Sequence, residues 1–349
     1  MMKMIFRIYK WILLSVFLQL LLLLFINNVY LNGRDGPVKV TSAEVTGGQE
    51  KPKKDTKVRI SDKAEQISVS IDGLYLSYVV DNKLEIMDLK SKKVKKSIAI
   101  KDGETLTFYR WLPDRNMIMY AVKGTEGQTG WVQITTHDID TDIETSYPQI
   151  SKISKQSQVV DIEFSVLTRV SYVKVKTSDT QATVYKYNIM GNLSYVMAIN
   201  SQTVLKEANY VDKLVYQNEK NKLFVRDGSK NVTWSFPFKN KMVLLGIDSE
   251  DNVYAGELNK DGKVAQIHYG KLSVEPDKAW QQISLKQPAA AEDLVVTPDQ
   301  KIYMVEKATK KVYNVKSNDS IQFKGEYVEI ISGYAASLDD GELKLTVLK

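Results

Sequence analysis

Residues 137–144, HDIDTDIE, are the densest group of potential metal ligands in this 349-residue sequence. Their three aspartates stand at relative positions 1, 3 and 5 of a calcium-binding loop. Position 6 is Ile143 where such a loop needs glycine, and position 12 is Gln149 where it needs glutamate. The segment therefore favours a polar strand–turn–strand, and we predict no metal site here.

The sequence contains few residues that could support other kinds of catalysis. The chain has no cysteine and two histidines, His137 and His268, which lie in unrelated segments. This leaves no thiolate nucleophile, disulfide or thiolate metal site. The sequence also lacks a glycine-rich phosphate loop, a G-x-S-x-G nucleophile elbow and a nucleic-acid-binding motif. We predict no catalytic residues, no cofactor and no nucleic-acid partner.

Aromatic side chains could form a binding face. Trp111, Trp131 and Trp234, in a chain with 19 tyrosines, are candidate contacts to a glycan or a protein partner. Aromatic rings also pack between secondary-structure elements, and the sequence leaves both roles open.

Four lysines are a second candidate contact. Lys92, Lys93, Lys95 and Lys96 form a basic hairpin tip in a chain of net charge +6. They could contact an anionic polymer, or they could simply be a solvated turn.

The elements that must position these residues are short strands. After residue 64, runs of five to eight residues rich in β-branched and aromatic side chains alternate with turn clusters. Residues 67–100 predict a four-stranded meander with turns at 71–73, 81–82 and 90–93. The same pattern recurs about every 40 to 50 residues, which is typical of β-propeller blades.

The last repeat is one strand short. Residues 327–348 predict three strands, and the fourth is missing at the C-terminus. Lys57–Ile60 can supply it from the opposite end of the chain, which would pair two otherwise open edges. We therefore predict an all-β fold, a single propeller of about seven four-stranded blades whose last blade is closed by an N-terminal strand. A β-sandwich is the alternative, but it does not explain a repeated four-strand unit.

Three segments carry a resemblance to known propellers. Ser70–Tyr78 (SIDGLYLSY), Trp111–Tyr120 (WLPDRNMIMY) and Thr297–Tyr303 (TPDQKIY) resemble the S-P-D-G inter-strand motif of TolB-like and dipeptidyl-peptidase-IV-type propellers. Ile71 replaces the motif's proline, and Arg115 and Gln300 replace its glycine. The resemblance implies architecture only, because fold similarity does not transfer activity.

The N-terminus predicts a membrane anchor. Trp11 to Ile26 reads WILLSVFLQLLLLLFI, and residues 5–26 are long enough to cross a bilayer. No A-x-A-like cleavage site follows, which favours an uncleaved signal-anchor over a signal peptide. Basic residues before the helix favour a cytoplasmic N-terminus. Gln19, alone in the apolar run, could form an intramembrane contact with a partner helix, or it could simply be tolerated.

These patterns divide the chain into four parts. We expect a cytoplasmic tail (1–10), a transmembrane signal-anchor helix (11–31), a flexible stem (32–56) and an extracytoplasmic β-propeller (57–349) in the cell membrane. The stem is rich in Gly, Pro, Ser, Thr and Lys and poor in large apolar side chains.

Two functions remain open. The favoured hypothesis is a non-enzymatic binding or scaffold component of a bacterial cell-envelope complex, contacting a protein or an extracellular polysaccharide. The alternative is a carboxylate-based, glycan-active hydrolase or lyase with its site in the propeller funnel. Because the inner strands look apolar rather than acidic in sequence, we rank this enzyme second. No pattern indicates a small-molecule substrate.

Overall fold

The structure, a computed structural model, describes residues 2–25, 56–272, 280–331 and 333–348. The chain divides into two compact units, residues 1–50 and 51–349. The described part of the first unit is one helix, α1 (Met2–Phe25).

Among the described residues, no helix is both long enough and apolar enough to cross a membrane. The predicted anchor over residues 11–31 is thus not confirmed and stays a prediction. Residues 26–31 and nearly all of the predicted stem, up to residue 55, lie outside the described residues.

The second unit is a seven-bladed β-propeller. Each blade is an antiparallel sheet of four strands, with a fifth strand in one blade, and in all but the last blade the strands are consecutive in sequence. Blades 1 to 3 contain β2 (Glu65–Val69), β3 (Tyr75–Val80), β4 (Lys83–Asp88) and β5 (Lys93–Ala99); β6 (Thr105–Trp111), β7 (Met117–Glu126), β8 (Thr129–Asp138), β9 (Ile143–Ser146) and β10 (Ile150–Ile153); and β11 (Gln158–Phe164), β12 (Ser171–Lys176), β13 (Gln181–Tyr187) and β14 (Leu193–Asn200).

Blades 4 to 6 follow the same pattern. They contain β15 (Leu205–Glu207), β16 (Lys213–Gln217), β17 (Leu223–Asp227) and β18 (Val232–Ser235); β19 (Met242–Ile247), β20 (Asn252–Leu258), β21 (Val264–Lys271) and β22 (Gln281–Ala289); and β23 (Leu294–Val296), β24 (Ile302–Glu306), β25 (Lys311–Asn314) and β26 (Ser320–Gln322). The sequence missed one strand, β10, which pairs with β8 beside β9 and widens blade 2 to five strands.

Blade 7 is closed as the sequence predicted. Its own strands are β27 (Glu326–Ile331), β28 (Tyr334–Asp339) and β29 (Glu342–Val347), and β1 (Lys57–Arg59) pairs antiparallel with β29. Val58 lies opposite Leu343, and both are buried in the apolar layer shared with blade 1. Because the first and last strands of the propeller pair in one sheet, this pairing closes the ring at blade 7.

The hydrophobic core lies between the blades. Apolar side chains on both faces of each sheet pack against the neighbouring sheets, which is why central strands such as β3 and β12 are buried almost throughout. The edge of each inner strand that points to the centre of the ring has no such cover. These edges surround the cavity described next.

Candidate functional site: the central funnel

A cavity of about 690 Å³ occupies the middle of the propeller. The ends of the inner strands of all seven blades, or the turns that follow them, form its wall. Most wall residues are apolar, with a few charged side chains among them, which is typical of ligand pockets. We call this cavity the funnel.

A buried ion-pair cluster forms one side of the funnel. Arg110 of blade 2 lies 2.8 Å from Oε1 of Glu163 in blade 3, and Lys206 of blade 4 lies 2.7 Å from the same oxygen. Arg110 also lies 3.7 Å from Asp161. Burial alone would raise the pKa of Glu163, but the charges of Lys206 and Arg110 outweigh it and hold that pKa at about 2. Glu163 is therefore ionised, and its carboxylate is paired with Arg110 and Lys206.

Glu207 lies next to this cluster but has no hydrogen-bond partner in the described part of the chain. The residue is 5% exposed, and within the described residues neither carboxyl oxygen receives a hydrogen bond. Burial raises its pKa well above the ordinary value, and the charges of Asp212 and Glu163 add to the shift. An unsatisfied buried carboxyl is costly, so its place in the wall of a cavity needs an explanation.

Glu329 lies in the wall at blade 7. Its carboxyl accepts hydrogen bonds from the Val69 amide, at 2.5 Å, and from the Ser68 hydroxyl, at 3.4 Å, both in blade 1. Burial raises the pKa of Glu329 to about 7, and these hydrogen bonds offset only part of the shift. Glu329 thus ties the two inner strands that flank the closure of the ring.

These carboxyl groups correct the expectation that the inner strands are not acidic. Glu163, Glu207 and Glu329 all belong to inner strands and all line the funnel. From the sequence, we judged the inner strands by their apolar residues and gave no weight to the single glutamates among them. In a propeller the inner strand faces two neighbouring blades and the funnel, so a charged residue inside an apolar run is the signal that could have found them.

Four consecutive turns at the funnel mouth are joined to one another. We call them the rim loops: residues 165–170, 208–212, 248–251 and 297–301, each between the first and second strands of blades 3 to 6. The Ser165 hydroxyl and the Leu167 amide donate to the carbonyl of Asn209. The Ser249 amide and hydroxyl donate to the carbonyl of Pro298.

Asp251 makes the middle link of this chain. Its carboxylate accepts from the amides of Asn209, at 2.6 Å, and Tyr210, at 3.0 Å, while the Asn209 side chain donates to the carbonyl of Asp248. These bonds fix the backbone of the turns that carry two exposed side chains at the mouth, Leu167 at 58% exposure and Tyr210 at 54%. Exposed apolar and aromatic side chains on an ordered backbone beside a recess are typical of protein-binding surfaces.

Two of the turns that carry the propeller motif are stabilised by the same kind of hydrogen bond, from a hydroxyl to an aspartate two residues later. The Ser70 hydroxyl donates to Asp72 at 2.6 Å, and the Thr297 hydroxyl donates to Asp299 at 2.6 Å. Gln300, which replaces glycine, adopts the left-handed conformation with φ of 65°. The motif thus stabilises the turn at the end of an inner strand and carries no reactive group.

Trp111 and Trp131, two of the predicted contacts, pack within the propeller. Trp111 is buried, stacks on Tyr75 at 6.2 Å, and donates from Nε1 to the Ser77 hydroxyl. Trp131 lies over Gly124 on the paired strand, where a Cβ atom would come within 2.2 Å of the indole. Nothing in the structure tests their role as contacts.

Trp234 is more accessible. It lies on the outer strand of blade 4 with 38% exposure, and Nζ of Lys213 lies 5.3 Å from its ring. Trp234 is therefore not part of the funnel, because the wall of the funnel comes from inner strands and the turns that follow them. Its predicted contact to a glycan or protein stays a prediction.

The predicted basic hairpin tip is divided. Lys92 and Lys93 are exposed at the turn between β4 and β5. Lys95 donates to the Tyr75 hydroxyl of its own blade at 2.8 Å and lies 3.9 Å from Asp140 of blade 2. Lys96 pairs with Asp142 of blade 2 at 2.7 Å. Two of the four lysines thus join neighbouring blades, and two remain available to an anionic partner.

The acidic patch at residues 137–144 is the other half of this junction. Asp142 also contacts Nε2 of His137 at 2.8 Å, and Asp140 accepts from the Tyr75 hydroxyl at 3.0 Å. Among the described residues, no group of three or more His, Asp or Glu side chains is arranged to hold a metal ion.

In the helix α1, the side-chain amide of Gln19 donates to the Ser15 hydroxyl at 3.5 Å, one turn away.

Comparisons with known proteins identify the fold but not the function. No known family profile matches the chain. No curated protein sequence matches it either. Solved structures do: a prolyl endopeptidase is 14% identical with a TM-score of 0.54, over 78% of this chain and 44% of the peptidase.

Two further structures extend the likeness. A chain of the mitotic checkpoint complex is 10% identical with a TM-score of 0.53, over 85% of this chain and 95% of that one. Hsv2 of Kluyveromyces lactis, with loop 6CD replaced by a Gly-Ser linker, is 14% identical with a TM-score of 0.50, over 80% and 89%. At these identities the likeness defines a class, the β-propellers, and assigns no function.

Proposed function

We propose that this protein is a non-enzymatic binding propeller, a scaffold component of a bacterial cell-envelope complex. In this proposal α1 and the residues after it are a signal-anchor, the N-terminus is cytoplasmic, and the propeller is extracytoplasmic. The apolar run from Trp11 to Ile26, the lack of cysteine and the TolB-like turn motif support it. The partner is a protein complex or the machinery of an extracellular polysaccharide.

One observation carries the binding role. The rim loops of four blades are hydrogen-bonded into a continuous edge that holds Leu167 and Tyr210 exposed beside the funnel. A partner that covers these side chains would lose little conformational entropy in the propeller, because the surface is already ordered.

The test is co-purification of the full-length chain from detergent-solubilised membranes of the native host. We expect the wild-type protein to capture a defined partner, and Tyr210→Ala with Leu167→Ala to lower the captured amount by about tenfold or more. Tyr195→Ala, which removes a tyrosine of 64% exposure from the outer strand of blade 3, is the matched control. Capture of no defined partner, or an equal loss with Tyr195→Ala, would contradict the proposal.

A second candidate function rests on the funnel carboxyl groups. The pKa of Glu163 is held at about 2 while the pKa of Glu207 is raised, and such divergent pairs also serve as base and acid in glycan cleavage. Incubation of cell-wall polysaccharide with the wild type and with Glu207→Gln tests it. Release of reducing ends by the wild type alone would favour the enzyme over the scaffold.

A further inference from the structure

A cleft between blades 3 and 4 lies apart from the funnel, and its volume of about 610 Å³ is within the range of ligand pockets. Its walls come from β13 and β14 of blade 3, from β16 of blade 4 and from the connections beside them. Successive turns of an antiparallel blade alternate between the two faces of a propeller. The turns at 177–180 and 218–222, which follow the second strands, therefore lie on the face opposite to the rim loops. We call this site the polar cleft.

The walls of the polar cleft are polar but almost uncharged. Glu219 is the one charged side chain among the thirteen described residues that line it, although 26% of the whole chain is charged. Lys176 and Asp179, beside the cleft, pair with each other at 2.9 Å. Seven of the thirteen lining residues carry an aliphatic hydroxyl or an amide group: Thr177, Thr180, Gln181, Thr183, Asn200, Thr203 and Asn218. An uncharged ligand with many hydrogen-bonding groups complements such walls.

Two asparagines in the walls are held in fixed orientations. Oδ1 of Asn218 accepts from two backbone amides of its own turn, at 3.1 and 2.9 Å, and Oδ1 of Asn200 accepts from one, at 2.9 Å. Within the described residues, neither Nδ2 group forms a hydrogen bond, and neither do the side chains of Gln181 and Thr183. Because the asparagines are already ordered, a ligand could bond to them at a small cost in conformational entropy.

The floor of the polar cleft is apolar and firmly packed. Met197, Ile199 and Tyr216 pack against the hydrophobic layer between blades 3 and 4. The Tyr216 ring also stacks on Phe224, with centroids 5.3 Å apart and an interplanar angle of 17°. A sugar ring has apolar C–H faces surrounded by hydroxyl groups, so it matches an apolar floor between hydrogen-bonding walls. Protein partners typically bring large apolar anchors or charged side chains, for which these walls have few counterparts.

We propose that the polar cleft binds an uncharged segment of a polysaccharide, with its C–H faces on the floor and its hydroxyl groups at Gln181, Asn200 and Asn218. This site does not depend on the rim loops, which lie on the other face and carry the proposed protein-binding role. A propeller with both sites would join a protein complex to the polymer. The inference therefore adds a ligand class and a location to the proposed scaffold.

The experiment titrates the full-length protein with tetrasaccharides of glucose, mannose, galactose and N-acetylglucosamine, using isothermal calorimetry. A polyoxyethylene detergent is required, because the headgroups of maltoside and glucoside detergents are themselves sugars. Tetragalacturonate, which has the length of the galactose tetramer and a carboxylate on every ring, is the matched ligand control. We expect at least one neutral tetrasaccharide to bind about tenfold or more tightly than tetragalacturonate. Its affinity should change by less than about twofold between low and high salt, because no charge is paired.

Gln181→Ala with Thr183→Val removes one amide and one hydroxyl from the wall of the polar cleft. Since neither side chain bonds to another described residue, we expect the fold to be retained, which circular dichroism checks. The affinity for the neutral tetrasaccharide should fall by about tenfold or more. Gln128→Ala with Thr125→Val, the same changes at exposed positions of blade 2, is the matched control and should stay within about twofold of wild type.

Each other result has a definite meaning. Equal or tighter binding of tetragalacturonate would overturn the uncharged ligand. Sugar binding that is lost with Glu207→Gln but kept by the cleft variant would place the glycan in the funnel and refute the inference. Tighter binding of an uncharged Gly-Ser-Gln repeat peptide than of any tetrasaccharide would indicate a polypeptide segment instead. If no tetrasaccharide binds while the wild type still captures its partner, this inference is wrong and the proposed function stands. If one binds in a chain that captures no partner, the reverse holds.

Discussion

At the scale of single residues, the protonation of Glu329 is linked to folding. Its carboxyl joins blade 7 to blade 1, yet burial raises its pKa from 4.5 to about 7. The folded protein therefore holds this proton more tightly than the unfolded chain does. The resulting contribution to the free energy of unfolding is complete below about pH 4.5 and is lost as pH rises through about 7.

Glu329→Gln should remove this pH dependence, because glutamine keeps an acceptor for the Val69 amide and cannot ionise. We expect the free energy of unfolding of wild type, minus that of the variant, to fall by about 3 kcal/mol between about pH 4.5 and pH 8. Urea denaturation of both proteins across that range measures the difference. A difference that stays constant with pH would show that Glu329 titrates normally.

Glu207 illustrates a different use of a buried carboxyl. Its shift has the same sign as that of Glu329, but no hydrogen bond within the described residues offsets the burial. A side chain of this kind destabilises the fold unless a ligand repays the cost. The two buried carboxyl groups therefore differ in role: Glu329 joins two blades, whereas within the described residues Glu207 makes no such bond.

At the scale of elements, the rim loops act as a unit. Asn209 receives bonds from blade 3 at its carbonyl and makes bonds to blade 5 through its amide and side chain. A turn in the middle of such a chain transmits order to both neighbours. Loss of the Asn209 side chain should therefore loosen the neighbouring rim loops, which are distant from it in sequence.

Asn209→Ala should lower the free energy of unfolding by about 1–2 kcal/mol, because it removes the side-chain donor that Asn209 provides to the Asp248 carbonyl and to the Asp251 carboxylate. We also expect faster amide hydrogen exchange across residues 165–170 and 248–251, measured by mass spectrometry. Asn259→Ala is the control, since Asn259 accepts hydrogen bonds only within its own turn. Exchange that changes only at residues 208–212 would disprove the coupling.

At the scale of the whole molecule, closure of the ring depends on a three-residue strand. β1 has three residues, and it forms the outer edge of blade 7. Its Val58 is buried at 3% exposure between blades 7 and 1. Opening of the ring must begin by separating β1 from β29, or by separating two neighbouring blades.

A disulfide across this pair tests the closure. Lys57 and Lys344 lie opposite each other, and the chain has no cysteine to compete. Directly opposed antiparallel residues have Cα separations that suit a disulfide. We expect Lys57→Cys with Lys344→Cys to raise the free energy of unfolding by about 2–4 kcal/mol when oxidised. The gain should vanish on reduction, and an oxidised protein no more stable than the reduced one would refute the role of β1.

The strands and the closure could be predicted from the sequence because their signals are local. Short β-branched runs and turn residues recur along the chain, and the missing strand of the last repeat pointed to Lys57–Ile60. The missed strand β10 follows a proline-containing connection and joins β8 out of sequence order. Pairing of that kind depends on space beside the sheet, which no local pattern records.

The funnel was decided only by the tertiary structure. Arg110, Glu163 and Lys206 come from three blades, and Glu329 meets Val69 across 260 positions of sequence. Closing the ring brings these groups together and determines which carboxyl finds a cation and which does not. The sequence by itself determined that about seven repeats would form a closed propeller, since each repeat carries its own strands and turns. Burial and neighbouring charge depend on distances across the ring, so only the folded molecule could separate Glu207 from its paired neighbours.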